Sequence, residues 1–266
     1  MSVKTESVQY IPDYETFDYS TVWARRGIED LAEKSVVSRW ATGETGIELG
    51  GGFGRVTSVI ERRIPTMFML DYSLRNLRRA ASTLGNTTLV RGSVSKLPFE
   101  DSVFDFVALV RVIHHVPDAR ALLDEVVRVS RNGGTFVLGI ANHLLKRGSE
   151  KNASFRLTPD GYRIYPTHLV RFVHPRLERA EILGVGAFDN RIGRKLERLW
   201  PLATIDYKTS RLWPAKAMLF VRYRVRKEEG ETNEPRVVCR CGGMIVGNRC
   251  ETCGRSYGEI IDLVES

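Results

Sequence analysis

Apolar positions at Ile28, Leu31, Ala32, Val36 and Trp40 recur at helical spacing and predict an amphipathic helix over residues 24–41. Beyond it the chain alternates short apolar runs with helix-period stretches. Residues 46–49, 66–71, 87–91, 104–110 and 135–140 read as strands, and the unbroken apolar run within 104–110 reads as a buried one. Residues 55–63, 73–84 and 119–130 read as helices, the second opened by a Ser73 cap and closed near Gly85. Arg131, Asn132, Gly133 and Gly134 read as the cap and turn that end the third. Strands that alternate with helices give a parallel sheet covered on both faces.

The later chain is less regular. Residues 143–183 follow the fifth strand, at the end where such a sheet opens its ligand crevice, and read as a substrate-side insertion finishing in a helix over 167–183. Residues 185–190 and 216–225, the latter just after Pro214, complete an α/β, doubly wound, mostly parallel sheet of seven strands. The charged, turn-rich stretch 228–235 is a natural linker. It divides a domain over 1–227, with an N-terminal helical arm over 1–41, from a small module over 236–266.

Composition narrows the class. A chain of 266 residues, 42% hydrophobic and 27% charged, has room for one large core and an appendage. No apolar run approaches the roughly 20 residues that span a bilayer, and the N-terminal residues lack the basic-then-apolar order of a secretory signal. The expected location is therefore cytoplasmic. The net charge of +8 is uneven, with eleven Lys/Arg against two Asp/Glu between Arg191 and Lys227. Such a stretch can attract RNA, anionic lipid or an acidic substrate, or can simply be a solvated face interleaved with Leu, Trp and Val.

The most informative segment runs from Gly46 to Arg55, where a strand leads through Gly50, Gly51, Gly52 and Gly54 into a helix. Glycines permit a tight turn and a close approach of ligand to backbone. Dinucleotide binders use G-x-G-x-x-G, but counting from Gly50 the third position falls on Arg55. Instead Glu48 precedes Gly50, Gly52 and Gly54 in a G-x-G-x-G arrangement that resembles motif I of class I S-adenosylmethionine (SAM)-dependent methyltransferases. Asp71 closes the second strand, where a carboxylate can accept hydrogen bonds from both ribose hydroxyls; the alternative is a helix cap, a role Ser73 already fills. Residues 91–105 resemble the family's "GDA…LPF" segment, with Ser93 where the family has an adenine-binding Asp and with the Val94 backbone beside it. Residues 108–118, including Arg111, resemble motif IV, and 128–142 the fifth-strand segment. The resemblance covers about residues 30–142 and is nearest to the ubiquinone/menaquinone-type group. It implies a Rossmann-like fold, SAM as cofactor, and a cofactor site that includes Tyr72 after Asp71. Arg55 can hold the methionyl carboxylate of SAM or face solvent in the first helical turn.

SAM is a sulfonium whose methyl group is already activated, so the protein mainly aligns the acceptor and excludes water. A phenol, hydroxyl or carbon acceptor also needs a base. His115, past the fourth strand, can be that base or a packed loop residue; His114 is a second candidate, and His143 and His168 lie in or near the variable region. The aromatic residues Tyr10, Tyr14 and Tyr19 can cover the cofactor or pack.

The four cysteines, Cys239, Cys241, Cys250 and Cys253, cluster in the last module rather than spreading as a disulfide framework would. Two close pairs, C-x-C and C-x-x-C-G, suit a closed tetrahedral zinc site of structural type; a redox dithiol is the alternative. The closing residues 250–266 resemble the end of small zinc-ribbon proteins that activate tRNA and translation-factor methyltransferases. The functional expectation is methyl transfer to a small-molecule acceptor, lipid or quinone-like. Methylation of RNA or a translation protein, with the ribbon as activator, is the second reading, and a non-catalytic SAM-binding protein the third.

Overall fold

The computed structural model of the chain describes Glu15 and residues 18–24, 26–116, 118–142, 174–186, 201–212, 216–227 and 234–264. The helices are α1 (Ser20–Trp23), α2 (Gly27–Trp40), α3 (Thr57–Ile60), α4 (Leu74–Ala81), α5 (Ala119–Val129) and α6 (Pro201–Lys208). The strands are β1 (Thr45–Leu49), β2 (Thr66–Asp71), β3 (Thr87–Arg91), β4 (Phe104–Val110), β5 (Ser130–Ala141), β6 (Leu177–Val185) and β7 (Met218–Val225). Four short strands follow: β8 (Val237–Val238), β9 (Met244–Val246), β10 (Arg249–Cys250) and β11 (Ile260–Asp262).

The main sheet has the order β11-β3-β2-β1-β4-β5-β7-β6. Strands β1 to β5 pair in parallel, and β7 runs antiparallel between β5 and β6. Six of the seven expected strands are present; β6 takes the place of the seventh, and β11 adds an eighth strand. In the central strand β4, Phe106, Ala108 and Val110 pack with α2 residues such as Val36 and Trp40, while Val107 and Leu109 pack with α5 residues such as Leu122 and Val126. Burial on both faces explains why this strand is apolar without alternation. The strand order reverses at β1, which lies between β2 and β4, so the loops after β1 and β4 border a crevice at the carboxyl end of the sheet.

Several expectations are corrected. Residues 177–183, read as helix, belong to β6: Glu178, Arg179 and Glu181 favour a helix locally, but pairing with β7 along an edge strand decides the outcome. The strand expected over 185–190 ends at Val185, before Gly186 at φ +86°. Residues 131–134 are not a turn; α5 ends at Val129 and β5 begins at once, with the register slipping between Phe104 and Phe106 around Gly133 at φ +76°. This irregularity in the pairing takes up the extra residues without ending the strand. The helix expected over 55–63 is confined to Thr57–Ile60, because the glycine loop turns as far as Val56. Most of the expected insertion, residues 143–173, and most of the linker, 228–233, lie outside the described residues. No helix among the described residues is long and apolar enough to cross a membrane.

The C-terminal module is not a detached appendage. Strands β8, β9 and β10 form a small antiparallel sheet. The Val238 amide donates to the Pro98 carbonyl at 2.8 Å, and Val237 bridges Phe99. Val237, Ile245, Cys250 and Ile261 are buried in the same cluster as Phe99, Phe104 and Val90. The module therefore shares the core of the larger domain.

A buried ion cluster ties α2 to the crevice. Arg55 Nη2 donates to Glu33 at 2.6 Å and Nη1 to Asp30 at 2.7 Å; Arg111 donates to Glu33 at 2.5 Å and also to Glu29. Glu33 is wholly buried. Burial would raise its carboxyl, but Arg111 and Arg55 outweigh that and hold it below the usual carboxylate range. The stability it contributes is thus present above pH 4.5 and is lost as pH falls through its lowered value. Glu33→Ala would leave Arg55 to Asp30 and Arg111 to Glu29 and unbalance the cluster, and is expected to cost about 3 kcal/mol at pH 7, read from urea unfolding.

Candidate functional site

The crevice at the switch point is a cavity of about 650 Å³, within the range of small-molecule sites. Its walls come from five sources: Glu15 and Tyr19 of the N-terminal arm, the end of β1 with the glycine loop, the end of β2 with the start of α4, residues 92–95 after β3, and residues between 110 and 116 at and after the end of β4. Glu48, Gly50, Gly51, Gly52, Arg55, Asp71, Tyr72, Ser93, Val94, Arg111 and His115 all line it. Gly54, expected with them, does not; at φ +83° it turns toward α4, where a Cβ would sit 3.0 Å from Leu84.

The glycine loop has distinct requirements along its length. A side chain at Gly50 would meet Val112 at 2.5 Å and one at Gly51 would meet Met69 at 2.4 Å. Gly52 has φ +59° and no atom within 4 Å of where a Cβ would sit, so bare backbone faces open space. Its amide donates to Asp71 Oδ2 at 2.7 Å, and the Ser73 amide donates to Oδ1 at 2.8 Å. Asp71 is therefore held in place by the loop across from it. An ionised carboxylate can accept about four hydrogen bonds, so capacity remains for a ligand's hydroxyls. Burial raises its pKa against the pull of these amides. Ser73 also caps α4 as expected, accepting from the Asn76 amide at 3.2 Å.

Glu48 lies buried on β1 and accepts from Thr57 Oγ1 at 2.5 Å. Burial pushes its carboxyl up to about 7, more than the Thr57 bond and nearby Arg55 draw it down. Ser93 accepts from the Ser95 amide at 3.2 Å, which leaves its own hydroxyl proton to donate. Tyr72 is 62% exposed at the rim. Arg55 and Arg111 line the cavity with their charges already matched by Glu29, Asp30 and Glu33, and the Arg55 guanidinium lies 3.5 Å from the Trp23 ring centroid. Arg111 also has φ +63°, a left-handed conformation at the residue that follows β4. His115 sits in a short 3₁₀ turn, and burial lowers its pKa. The side chain of His114, and all of Tyr10, Tyr14, His143 and His168, lie outside the described residues.

Sequence reading missed Glu15 and Glu33. Glu15 lines the cavity, and nothing in its local sequence marks it. For Glu33 a signal existed: it stands between the apolar positions Ala32 and Val36 on the buried face of α2, where a lone charge needs a partner.

Comparison with known proteins agrees with this geometry. Residues 47–138 match the family model described as a methyltransferase domain, Methyltransf_11. Over this stretch the chain is similar to SAM-dependent methyltransferase domains. Demethylmenaquinone methyltransferase of Staphylococcus aureus is 28% identical over 128 residues, covering 46% of this chain and 50% of that protein. The chain thus spans about half the length of the curated relatives it matches. Among solved structures, a SAM-dependent methyltransferase of Thermotoga maritima shares the fold with a TM-score of 0.59 at 20% identity, covering 78% of this chain and 95% of that one. A chain from the complex of the Haloferax volcanii Trm112 methyltransferase activator with a methyltransferase aligns with a TM-score of 0.55 at 18% identity, over 79% and 97% of the two chains.

The second candidate site is the cysteine cluster. All four sulfurs lie within 4.8 Å of one another. Cys239 and Cys253 are 3.8 Å apart, Cys241 and Cys250 3.5 Å. A tetrahedron of Zn–S bonds near 2.3 Å has edges of roughly 3.8 Å, so the donor set can hold such an ion. The Gly243 and Cys253 amides point to Cys241 and Cys250 sulfurs at 3.4 and 3.5 Å, and the Tyr257 hydroxyl lies 3.0 Å from Cys239 Sγ, a contact the sequence did not mark.

The raised Glu48 carboxyl sets a pH test. An unfolded glutamate ionises near 4.5 and the folded one near 7, so stability is lost as pH rises through that window. Without ligand, Glu48→Gln is expected to be more stable than the parent at pH 8 by up to about 3 kcal/mol, and equal to it at pH 4, by chemical denaturation.

Proposed function

We propose that the chain transfers the methyl group of SAM to a small-molecule acceptor of lipid or quinone-like character. The carrying observation is the convergence of Glu48, the open backbone at Gly52, Asp71 and Ser93 on one cavity at the sheet's switch point. In this reading Asp71 accepts from the ribose hydroxyls, the loop amides approach the methionyl part, and Ser93 and the Val94 backbone meet the adenine. When bound, SAM supplies a methyl group on a positively charged sulfur. The protein orients it, keeps water out and places the acceptor in line. His115, held neutral near pH 7 by burial, faces the same cavity and is placed to take the acceptor's proton. The relative named for demethylmenaquinone supports a quinone-like acceptor.

A second reading has one specific observation in its favour. Strand β11 extends the main sheet at β3, which fits a ribbon acting in cis as activator of an RNA or translation-protein methyltransferase. In both readings the cysteine cluster holds a structural zinc ion. Four thiolates leave no open position, so zinc would supply folding energy and not chemistry.

Incubation with methyl-labelled SAM and cell extract, fractionated into lipid, RNA and protein, decides the acceptor. Label in lipid is expected; label in RNA or protein supports the second reading, and SAM binding without transfer to any fraction overturns both. Asp71→Ala is expected to weaken SAM binding by about tenfold or more, the cost of lost bonds to a charged acceptor; an unchanged affinity rejects the ribose role. Metal analysis should find about one zinc per chain, and a strong chelator should release it and expose residues 237–262 to protease.

A further inference from the structure

Arg91 ends β3, and each of its three guanidinium nitrogens goes to a different part of the molecule. Nε donates to the Tyr72 carbonyl at 3.0 Å, on the rim of the cavity. Nη1 donates to Asp262 Oδ2 of β11 at 3.1 Å. Nη2 lies 3.6 Å from Glu15 Oε1. Glu15 in turn accepts from the Leu74 and Arg75 amides at 2.7 and 3.2 Å, which fixes it over the first turn of α4. Tyr72 and Glu15 both line the cavity. The side chain is 15% exposed and the planar fork cannot turn to suit one partner without loosening the others. Backbone pairing sets the register: Arg91 stands opposite Asp71 on one side and Asp262 on the other, and the Leu263 amide donates to the Arg91 carbonyl at 3.0 Å.

We infer that Arg91 is a positioning residue through which the docked ribbon strand sets the adenosine end of the cofactor cavity, Asp262 holding the guanidinium that holds Tyr72 and Glu15. This rests on the reading of that cavity as the SAM site. The ribbon then acts on cofactor affinity through one side chain rather than by supporting the fold alone. Arg91 touches no reacting atom, so its effect falls on cofactor binding.

The test is SAM affinity by calorimetry on the full-length zinc-loaded protein. Asp262→Ala is expected to raise the Kd about fivefold and Arg91→Ala about tenfold, within the usual span of coupling between sites. The double variant is expected to match Arg91→Ala alone, since Asp262 acts through Arg91. Zinc content stays at the parent value. Full additivity of the two changes, or an unchanged Kd in Asp262→Ala with zinc retained, overturns the inference. Arg91→Lys keeps the charge and leaves the backbone pairing of β11 untouched; it guards against a misfolded alanine variant. A Kd raised severalfold by lysine supports the fork's role, and a parental Kd rejects it. A parent protein that binds no SAM overturns the cofactor reading itself, whereas a parent and variants that bind equally overturn only the role of Arg91.

Discussion

Two guanidiniums share one buried carboxylate, and much of the crevice depends on that arrangement. Arg55 follows the glycine loop and Arg111 follows β4, so the two borders of the switch point are fastened to Glu33 of the same helix. Asp30 and Glu29 complete the pairing of the two arginines, and the arginines keep the wholly buried Glu33 ionised. The left-handed backbone at Arg111 fits this picture, because a strained conformation persists only where its surroundings over-determine it. The cavity's shape is thus a consequence of charge pairing beneath it, while its floor and rim are left to the loop amides and Asp71.

The same economy is visible at the other edge of the sheet. The cysteine module contributes Val237, Ile245 and Ile261 to the main core and a strand to the main sheet. Its cysteine cluster and the domain's hydrophobic packing are therefore physically joined, with Phe99 as a shared contact. Zinc at the four sulfurs would fix the loops that carry these apolar residues inward.

The central strands β2 and β4 were readable because they are buried on both faces and carry the apolar runs 67–70 and 106–110, and Gly50, Gly52 and Gly54 because their positive φ values exclude most other residues. Asp71 was legible from its place at the end of β2. Sequence failed where long-range partners override local preference. Residues of β6 carry helix-favouring charges and become a strand only because β7 lies beside them. The paired glycines at 133 and 134 signal a stop, yet the chain passes through them within a continuing strand. The contacts of Glu15 and Tyr257 join segments far apart in sequence, and no local pattern encodes them.

Pairing of β11 with β3 also sets an order of assembly. Because β3 precedes β11 by more than 150 residues in the chain, a sheet formed before β11 docks would carry an open, hydrogen-bonding edge. That edge invites a neighbouring chain until the ribbon arrives to close it. Undocking the module would thus uncover the β3 edge together with the apolar residues it covers.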